Sequence, residues 1–152
     1  MRLALYEPDI PQNAGAILRL GACLGVAIDI IEPCGFVLDD RRLKRAAMDY
    51  LARVEIARHA SWTAFRQSHT GRLVLLSTKA RLPYHRFTFA RDDVLLLGRE
   101  TAGVPPEVAE VVDASVLIPM RPGLRSLNVA LAAALVLGEA LRQTALLPEM
   151  SP

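Results

Sequence analysis

The chain has 152 residues, of which 52% are hydrophobic and 22% are charged, and its formal net charge is +2. This length suits a single domain over residues 1–152, and the apolar content excludes a disordered chain. The mild basic charge does not by itself indicate nucleic-acid binding. Because the first residues lack a signal-peptide pattern and no apolar run approaches the ~20 residues of a membrane span, we expect a cytoplasmic protein.

Apolar runs typical of strands alternate with helical patterns along the chain. In the first half, the predicted elements are a strand over Leu3–Tyr6, a helix from Pro11 to about Gly25 with Asn13 as its cap, a strand over Ala27–Ile31, a helix from Asp39–Asp40 through Met48 and a short strand over Val54–Ala57. In the second half, they are a helix over Trp62–Gln67 capped by Ser61, buried strands over Leu73–Ser77 and Val94–Leu97, a helix from Pro105–Pro106, a strand over Val116–Ile118 and a final helix over Asn128–Thr144. This alternation predicts an α/β domain with a mostly parallel sheet flanked by helices.

Three unusual stretches each follow a predicted strand: Asn13–Arg19, Gly98–Gly103 and Ile118–Asn128. In parallel sheets, ligands bind beyond the carboxyl ends of the strands. The shared placement of the three stretches therefore predicts a ligand site at that edge.

Each stretch alone also has a purely structural interpretation. The Gly98 loop lacks the spacing of a dinucleotide or phosphate-binding loop, and an ordinary strand-to-helix turn explains it equally well. Ser126 or Asn128 suits the cap of the final helix. Arg19, flanked by apolar residues, is consistent with a side chain that extends to solvent.

The final helix is apolar on every side from Val129 to Leu137. Such a helix must be buried all round. We expect one side to pack on the sheet and another on a second subunit, and a fully internal helix is the alternative.

The cysteines and histidines give no metal or nucleophile pattern. Cys23 and Cys34 form no CxxC pair and have no histidine cluster nearby, so we expect free thiols, no disulfide and no metal. His59, His69 and His85 are scattered in polar contexts and are interpreted as surface residues. No Ser/His/Asp order and no carboxylate pair indicates hydrolase chemistry.

Taken together, the stretches resemble the SPOUT methyltransferase superfamily, and within it the tRNA (cytidine/uridine) 2′-O-methyltransferases that act on the wobble nucleotide, position 34. The first motifs and the short length point to that subfamily, and the last two motifs to the superfamily. The matching segments, in order along nearly the whole chain, are Leu5–Gly15, Ile30–Phe36, Asp40–Tyr50, Ser77–Lys79, the Gly98 loop, Ile118–Met120 and Arg125–Asn128.

The resemblance implies an α/β fold with a C-terminal trefoil knot, an obligate homodimer, S-adenosylmethionine (AdoMet) as cofactor with S-adenosylhomocysteine as product, and the tRNA anticodon loop as partner. The residues it implies for the cofactor are Leu76, Gly98, Ile118, Ser126 and Asn128. The residues it implies for catalysis are Arg19, Asn13 and Glu100. Arg19 is the family's candidate base, but guanidinium stays protonated in proteins, so a phosphate contact or stabilisation of an alkoxide is the chemically safer role.

Basic residues mark the expected RNA contacts, which are Arg41, Arg42, Lys44, Arg45, Arg121 and Arg125. A solvated helix face is the alternative for the first four.

The chain departs from some relatives at Arg99, Ala130, Leu131 and Gly138. The competing functions are 2′-O-methylation of another RNA site, a non-catalytic AdoMet-binding module and a structural dimerisation protein.

Overall fold

The computed structural model describes residues 1–38 and 41–149, with the side chains of Arg42, Lys44 and Met48 left out. Within this part of the chain, seven strands form one sheet in the order β3-β2-β1-β6-β4-β7-β5. Every pairing between neighbouring strands is parallel. The strands are β1 (Arg2–Tyr6), β2 (Ala27–Ile31), β3 (Ile56–His59), β4 (Leu73–Leu76), β5 (Leu82–Pro83), β6 (Val94–Leu97) and β7 (Ala114–Leu117).

Helices cover both faces of the sheet, which is why its central strands are continuous apolar runs. The helices are α1 (Pro11–Leu24), α2 (Arg41–Ala47), α3 (Trp62–Ser68), α4 (Pro106–Ala109) and α5 (Val129–Thr144), with 3-10 helices over Met48–Arg53 and Tyr84–Arg86. Helices α1, α2 and α5 contribute to one core cluster, which includes Leu3 and Leu5 of β1. Phe65 of α3 and Val108 of α4 pack with Ala4 and Tyr6 in a second cluster. Side chains that alternate along β1 therefore enter different cores.

The predicted α/β class with a parallel sheet is confirmed, and β6 has the predicted bounds. The Ser61 cap is also confirmed, because its Oγ accepts a hydrogen bond from the Ala64 N–H at 3.1 Å. The trefoil knot implied by the resemblance stays a prediction. None of the described helices is long and apolar enough to cross a bilayer.

Some sequence predictions about local structure are wrong. Asn13 is not a cap, because α1 begins at Pro11 and Ile10 is its N-cap residue. Proline is favoured at the first position of a helix, where its fixed φ fits and its missing N–H is not needed. Strand β3 lies two residues later than predicted because it pairs in register with β2, Ile56 opposite Ile28. Asp39 and Asp40 lie outside the described residues.

Helix α5 is not buried all round in the single chain. Ala133, Val136, Leu137, Ala140 and Leu141 are buried against the first core cluster. On another side of the helix, Leu131 is 60% exposed and Leu135 is 46% exposed. The alternative of a fully internal helix is thus wrong for the isolated chain, while the predicted partner subunit would cover these leucines.

Candidate functional site at the carboxyl edge of the sheet

Three predicted cofactor residues lie at the carboxyl ends of neighbouring strands. Leu76 ends β4, Gly98 follows β6 and Ile118 follows β7. Strand β4 lies between the other two, with Leu76 in register with Leu97 on one side and Val116 on the other. The sheet therefore brings together three residues that lie 20 or more positions apart in the sequence.

The loop after β6 is closed by its own backbone. Arg99 N donates to Gly103 O at 3.0 Å, and Gly103 N donates to Arg99 O at 2.8 Å. A Cβ atom at Gly98 would lie 2.6 Å from the Gly103 carbonyl carbon, so only glycine fits there. Gly103 has a φ of +71°, which also favours glycine. The missing Cβ of Gly98 thus makes room for the loop itself, which is the structural interpretation of this motif.

Asp9 and Glu100 join the loop after β1 to the loop after β6, and we call this contact the Asp9–Glu100 clasp. Asp9 N donates to Glu100 Oε2 at 3.1 Å, and Glu100 N donates to Asp9 Oδ1 at 3.2 Å. The Thr101 hydroxyl donates a short hydrogen bond to Asp9 Oδ2. The clasp bridges adjacent strands at the point where the chain order of the sheet reverses, which is the usual place for a ligand crevice.

The two carboxyl groups of the clasp differ in their tendency to hold a proton. Burial raises the pKa of Glu100, and the neighbouring Asp9 carboxylate raises it further. Burial alone would also raise the pKa of Asp9, but hydrogen bonds from Glu100 and Thr101 outweigh it and lower the pKa. A proton shared by the pair therefore resides on Glu100.

Arg99 holds the same two loops together by charge. Its Nη1 lies 3.2 Å from Glu7 Oε2, and its Nε lies 3.7 Å from Asp9 Oδ2. Glu7, the residue directly after β1, has a φ of +42°, a rare conformation for a residue with a side chain. The departure from some relatives at Arg99 thus coincides with an ion pair to the first loop.

Asn13 and Asn128 meet although 115 positions separate them. Asn128 Nδ2 donates to Asn13 Oδ1 at 2.8 Å. The other amide atom of Asn128, Oδ1, accepts from Ala130 N at 2.8 Å and Leu131 N at 3.3 Å, which confirms Asn128 as the cap of α5. The amino ends of α1 and α5 are therefore linked, and Ser126 lies two residues earlier on an exposed segment, 121–128.

Arg19 lies on the exposed side of α1, where its guanidinium carbon is 5.1 Å from the centre of the Tyr50 ring. Tyr50 belongs to the 3-10 helix that follows α2. Helix α1 packs closely against α2, the helix that carries the basic segment, with Gly15 against Leu43 and Ala46. Arg41 and Arg45 are exposed, as are Arg121 and Arg125 on the loop before α5, whereas the side chains of Arg42 and Lys44 are outside the described atoms.

The sequence did not single out Glu7, Asp9, Thr101 or Tyr50. For Glu7 and Asp9 a signal existed, because both residues directly follow the first predicted strand and so belong to the carboxyl edge. No sequence signal paired them with the loop after β6, since that contact depends on the strand order.

A cavity of about 620 Å³ opens at the opposite edge of the sheet. It lies at the amino ends of β1 and β2, where Arg53, Glu55 and Asp92 line it. Arg2, which also lines it, is paired with Asp29 and Glu55. None of the predicted site residues lines this cavity, so we place the candidate site at the carboxyl edge.

The chain matches known proteins over nearly its whole length. The model of the SpoU rRNA Methylase family matches residues 1–138. A tRNA (cytidine(34)-2′-O)-methyltransferase of Beijerinckia indica is 63% identical and aligns over 97% of this chain and 94% of its own length.

Two solved structures have similar folds. One, from work on the 2′-OH methylation of C/U34 on tRNA, superposes with a TM-score of 0.90 at 38% identity and covers 93% of this chain and 94% of its own. The other, an AdoMet-bound rRNA methyltransferase from Sinorhizobium meliloti, gives a TM-score of 0.84 at 28% identity and covers 93% of this chain but 55% of its own.

Proposed function

This chain belongs to the SpoU rRNA Methylase family, and we propose that it is the enzyme that transfers a methyl group from AdoMet to the ribose 2′-hydroxyl of nucleotide 34 in tRNA. The resemblance found in the sequence is thereby confirmed at the level of the family. The structural observation that carries the proposal is the meeting of four loops, after β1, β4, β6 and β7, at one edge of the sheet.

The length of the relatives favours tRNA position 34 over another RNA site. The match to the C/U34 structure covers 93% of this chain and 94% of that structure's chain. The match to the rRNA methyltransferase covers only 55% of its chain, which leaves 45% of that protein outside the match. We propose that residues 1–152 form a single domain and that the residues which recognise RNA lie within it.

The residues at the carboxyl edge fit AdoMet as the cofactor. Leu76 and Ile118 are partly buried aliphatic side chains at strand ends, suited to flank an adenine ring. Gly98 and the exposed segment 121–128, with Ser126, offer backbone and hydroxyl groups for polar contacts. Bound AdoMet supplies an electrophilic methyl group on a positively charged sulfur. We propose that Leu76, Gly98, Ile118, Ser126 and Asn128 hold it.

The acidic clasp and the asparagine pair keep the loops around this site in register. Of the two carboxyl groups of the clasp, Glu100 has the raised pKa and Asp9 the lowered one, so Asp9 holds its negative charge toward a cationic ligand more strongly. The Asn13–Asn128 contact fixes the amino end of α5 against α1. Holding the reacting groups in line can lower the barrier by about 7–11 kcal/mol in well-oriented cases.

Arg19 acts on the RNA in this proposal. A guanidinium is a poor base in proteins, so we propose that Arg19 contacts a phosphate or stabilises the developing alkoxide rather than removing the proton. Its contact with Tyr50 and its place beside α2 support this role, because the exposed Arg41 and Arg45 extend the positive surface. Arg42, Lys44, Arg121 and Arg125 complete the proposed RNA surface, and binding through phosphates weakens as salt is added.

We propose that the enzyme is a homodimer formed through α5 and acts in the cytoplasm, where its substrate is found. Leu131 and Leu135 expose apolar surface on α5, and Leu124 and Leu127 do so on the preceding loop. Exposed apolar patches of this kind mark interaction surfaces. The patch adjoins Asn128, so a second subunit there would lie next to the candidate site.

A methyl-transfer assay with an Arg19 variant tests the catalytic assignment. We expect Arg19→Ala to retain AdoMet binding in calorimetry and to lose at least ~10²-fold in tritiated-methyl transfer to tRNA that lacks the modification. Arg66→Ala is the matched control, because Arg66 is an exposed arginine on α3, on the other face of the sheet. If Arg19→Ala turns over near the wild-type rate, Arg19 has no role in the reaction. If the wild type binds AdoMet but transfers no methyl group, the protein is a non-catalytic AdoMet-binding module.

A further inference from the structure

Asp29, His59 and His69 form a compact group on the α3 face of the sheet, and we call it the Asp29–His cluster. His59 Nε2 lies 2.8 Å from Asp29 Oδ1, and His69 Nε2 lies 3.0 Å from the same oxygen. These three atoms all lie within 4.8 Å of one another. The interpretation of His59 and His69 as surface residues is wrong, since their side chains are only 10% and 16% exposed, while His85 is exposed as predicted.

The cluster is separate from the proposed methyl-transfer site. Asp29 is in the middle of β2, His59 ends the edge strand β3, and His69 directly follows α3. Both imidazole rings pack against the fully buried Phe65, with ring centres 5.2 and 4.7 Å away. The apolar packing fixes the two rings, so their Nε2 atoms are held toward Asp29 before any ligand arrives.

Ser68 supports the ring of His59 through its other nitrogen, Nδ1. The Ser68 hydroxyl carries one proton and donates it to Phe65 O at 2.8 Å. The same Oγ lies 3.4 Å from His59 Nδ1, so it is placed to accept a hydrogen bond from an Nδ1–H. In the tautomer that carries its proton on Nδ1, an imidazole presents a lone pair at Nε2 and can bind a metal ion there. A hydrogen bond from Nδ1–H to a neighbouring oxygen is the usual support of a metal-bound histidine.

The charges around the cluster also favour a divalent cation, because carboxylates outnumber the arginine that pairs with them. Arg2 Nε donates to Asp29 Oδ2 at 2.7 Å, and Arg2 Nη1 donates to Glu55 Oε1 at 2.9 Å. The one arginine is therefore shared by two carboxylates, so it balances only one of their two negative charges. Arg2 Nη2 also donates to Asp29 Oδ1 at 3.3 Å, so this oxygen faces the arginine as well as the two histidines.

We propose that Asp29, His59 and His69 bind a Zn²⁺ ion. Two imidazole nitrogens and one carboxylate oxygen are a ligand set that zinc accepts, with bonds of about 2.0–2.2 Å. Tetrahedral bonds of that length set neighbouring ligand atoms about 3.3 Å apart, so the two N–O separations open by a few tenths of an ångström. A water molecule takes the fourth position from the partly exposed side of the histidines. The ion ties edge strand β3 and the end of α3 to β2.

Cobalt spectroscopy tests this site directly. Co²⁺ replaces Zn²⁺ in tetrahedral sites and gives visible absorption, so protein freed of metal by a chelator is titrated with Co²⁺ and then with Zn²⁺. We expect one Co²⁺ per chain and loss of the absorption when Zn²⁺ is added. Calorimetry with Zn²⁺ gives the affinity, and a rise in the midpoint of thermal unfolding with Zn²⁺ reports binding to the folded state.

Variants distinguish this site from the other possible zinc ligands. His69→Ala abolishes binding, Ser68→Ala weakens it about tenfold by removing the support of His59, and His85→Ala is the matched control that leaves it unchanged. Circular dichroism establishes that each variant is folded. Absence of Zn²⁺ binding by the wild type overturns the proposal and leaves a hydrogen-bonded cluster only. Binding that survives in His69→Ala, or that is lost in His85→Ala or in Cys23→Ser, also overturns it.

Discussion

At the scale of single residues, Asn128 combines two roles through the two ends of one amide group. Its Oδ1 caps α5, and its Nδ2 reaches Asn13. The sequence predicted the cap and the resemblance implied both asparagines, but their contact could not be predicted, because Asn13 itself was assigned as a cap. A cap is a local feature of sequence, whereas the pairing depends on how α1 and α5 pack.

Serine at position 128 separates these two roles. Serine is also a preferred cap, so we expect the free energy of unfolding of Asn128→Ser in urea to lie within ~0.5 kcal/mol of the wild-type value. We expect the free energy of unfolding of Asn128→Ala to be about 1 kcal/mol lower. Both variants lose the contact with Asn13, and we expect kcat to fall in both as it does in Asn13→Ala. If Asn128→Ser keeps the wild-type kcat, the contact has no part in the reaction.

The raised pKa of Glu100 predicts how stability depends on pH. A carboxyl group whose pKa is raised by folding contributes stability below its ordinary pKa of about 4.5, and that contribution is lost as the pH rises through the folded pKa. We therefore expect the contribution of Glu100 to the free energy of unfolding to decline between pH 4 and 7. Urea denaturation of Glu100→Gln and the wild type over this range measures it, and we expect the variant to lack this decline. Glu110→Gln, at an exposed position, is the control. If the free energy of unfolding depends on pH in the same way for Glu100→Gln and the wild type, the pKa of Glu100 is not raised by folding.

At the scale of elements, segments with a clear apolar run or capping signal were predictable, and the two-residue strand β5 was not. Helices α1 and α5 and strands β1, β2, β4 and β6 follow from apolar runs and their boundaries in the sequence. Strand β5 has two residues, Leu82 and Pro83, and exists only because it pairs with β7. His59 and His69 have polar neighbours in the sequence, yet β3 and α3 turn them onto the buried Asp29.

The exposed leucines of α5 predict the subunit interface. We expect the wild type to be a dimer in light scattering after size exclusion, and the double variant Leu131→Glu with Leu135→Glu to be a monomer, because each glutamate would place a charge in an apolar contact. Val111→Glu is the control, because Val111 is also exposed but lies after α4, away from α5. A monomeric wild type, or a double variant that stays dimeric, contradicts this interface.

At the scale of the whole molecule, the edge of the site was predictable but its internal contacts were not. Parallel sheets bind ligands at their carboxyl edge, and this rule placed Asn13, Gly98 and Ile118 correctly. The strand order inserts β6 between β1 and β4, and no local pattern encodes that order. The Asp9–Glu100 clasp, between residues 91 positions apart, is a direct consequence of it.

The claim that the target is the 2′-hydroxyl of nucleotide 34 is tested most directly with tRNA altered at that single atom. The wild-type enzyme is given tritiated AdoMet and either an unmodified tRNA, the same tRNA with a 2′-deoxyribose at position 34, or one with a 2′-deoxyribose at position 32. We predict equal methyl transfer to the first and third and none to the second. Transfer to the tRNA without the 2′-hydroxyl at position 34 would contradict the assignment of the reacting atom.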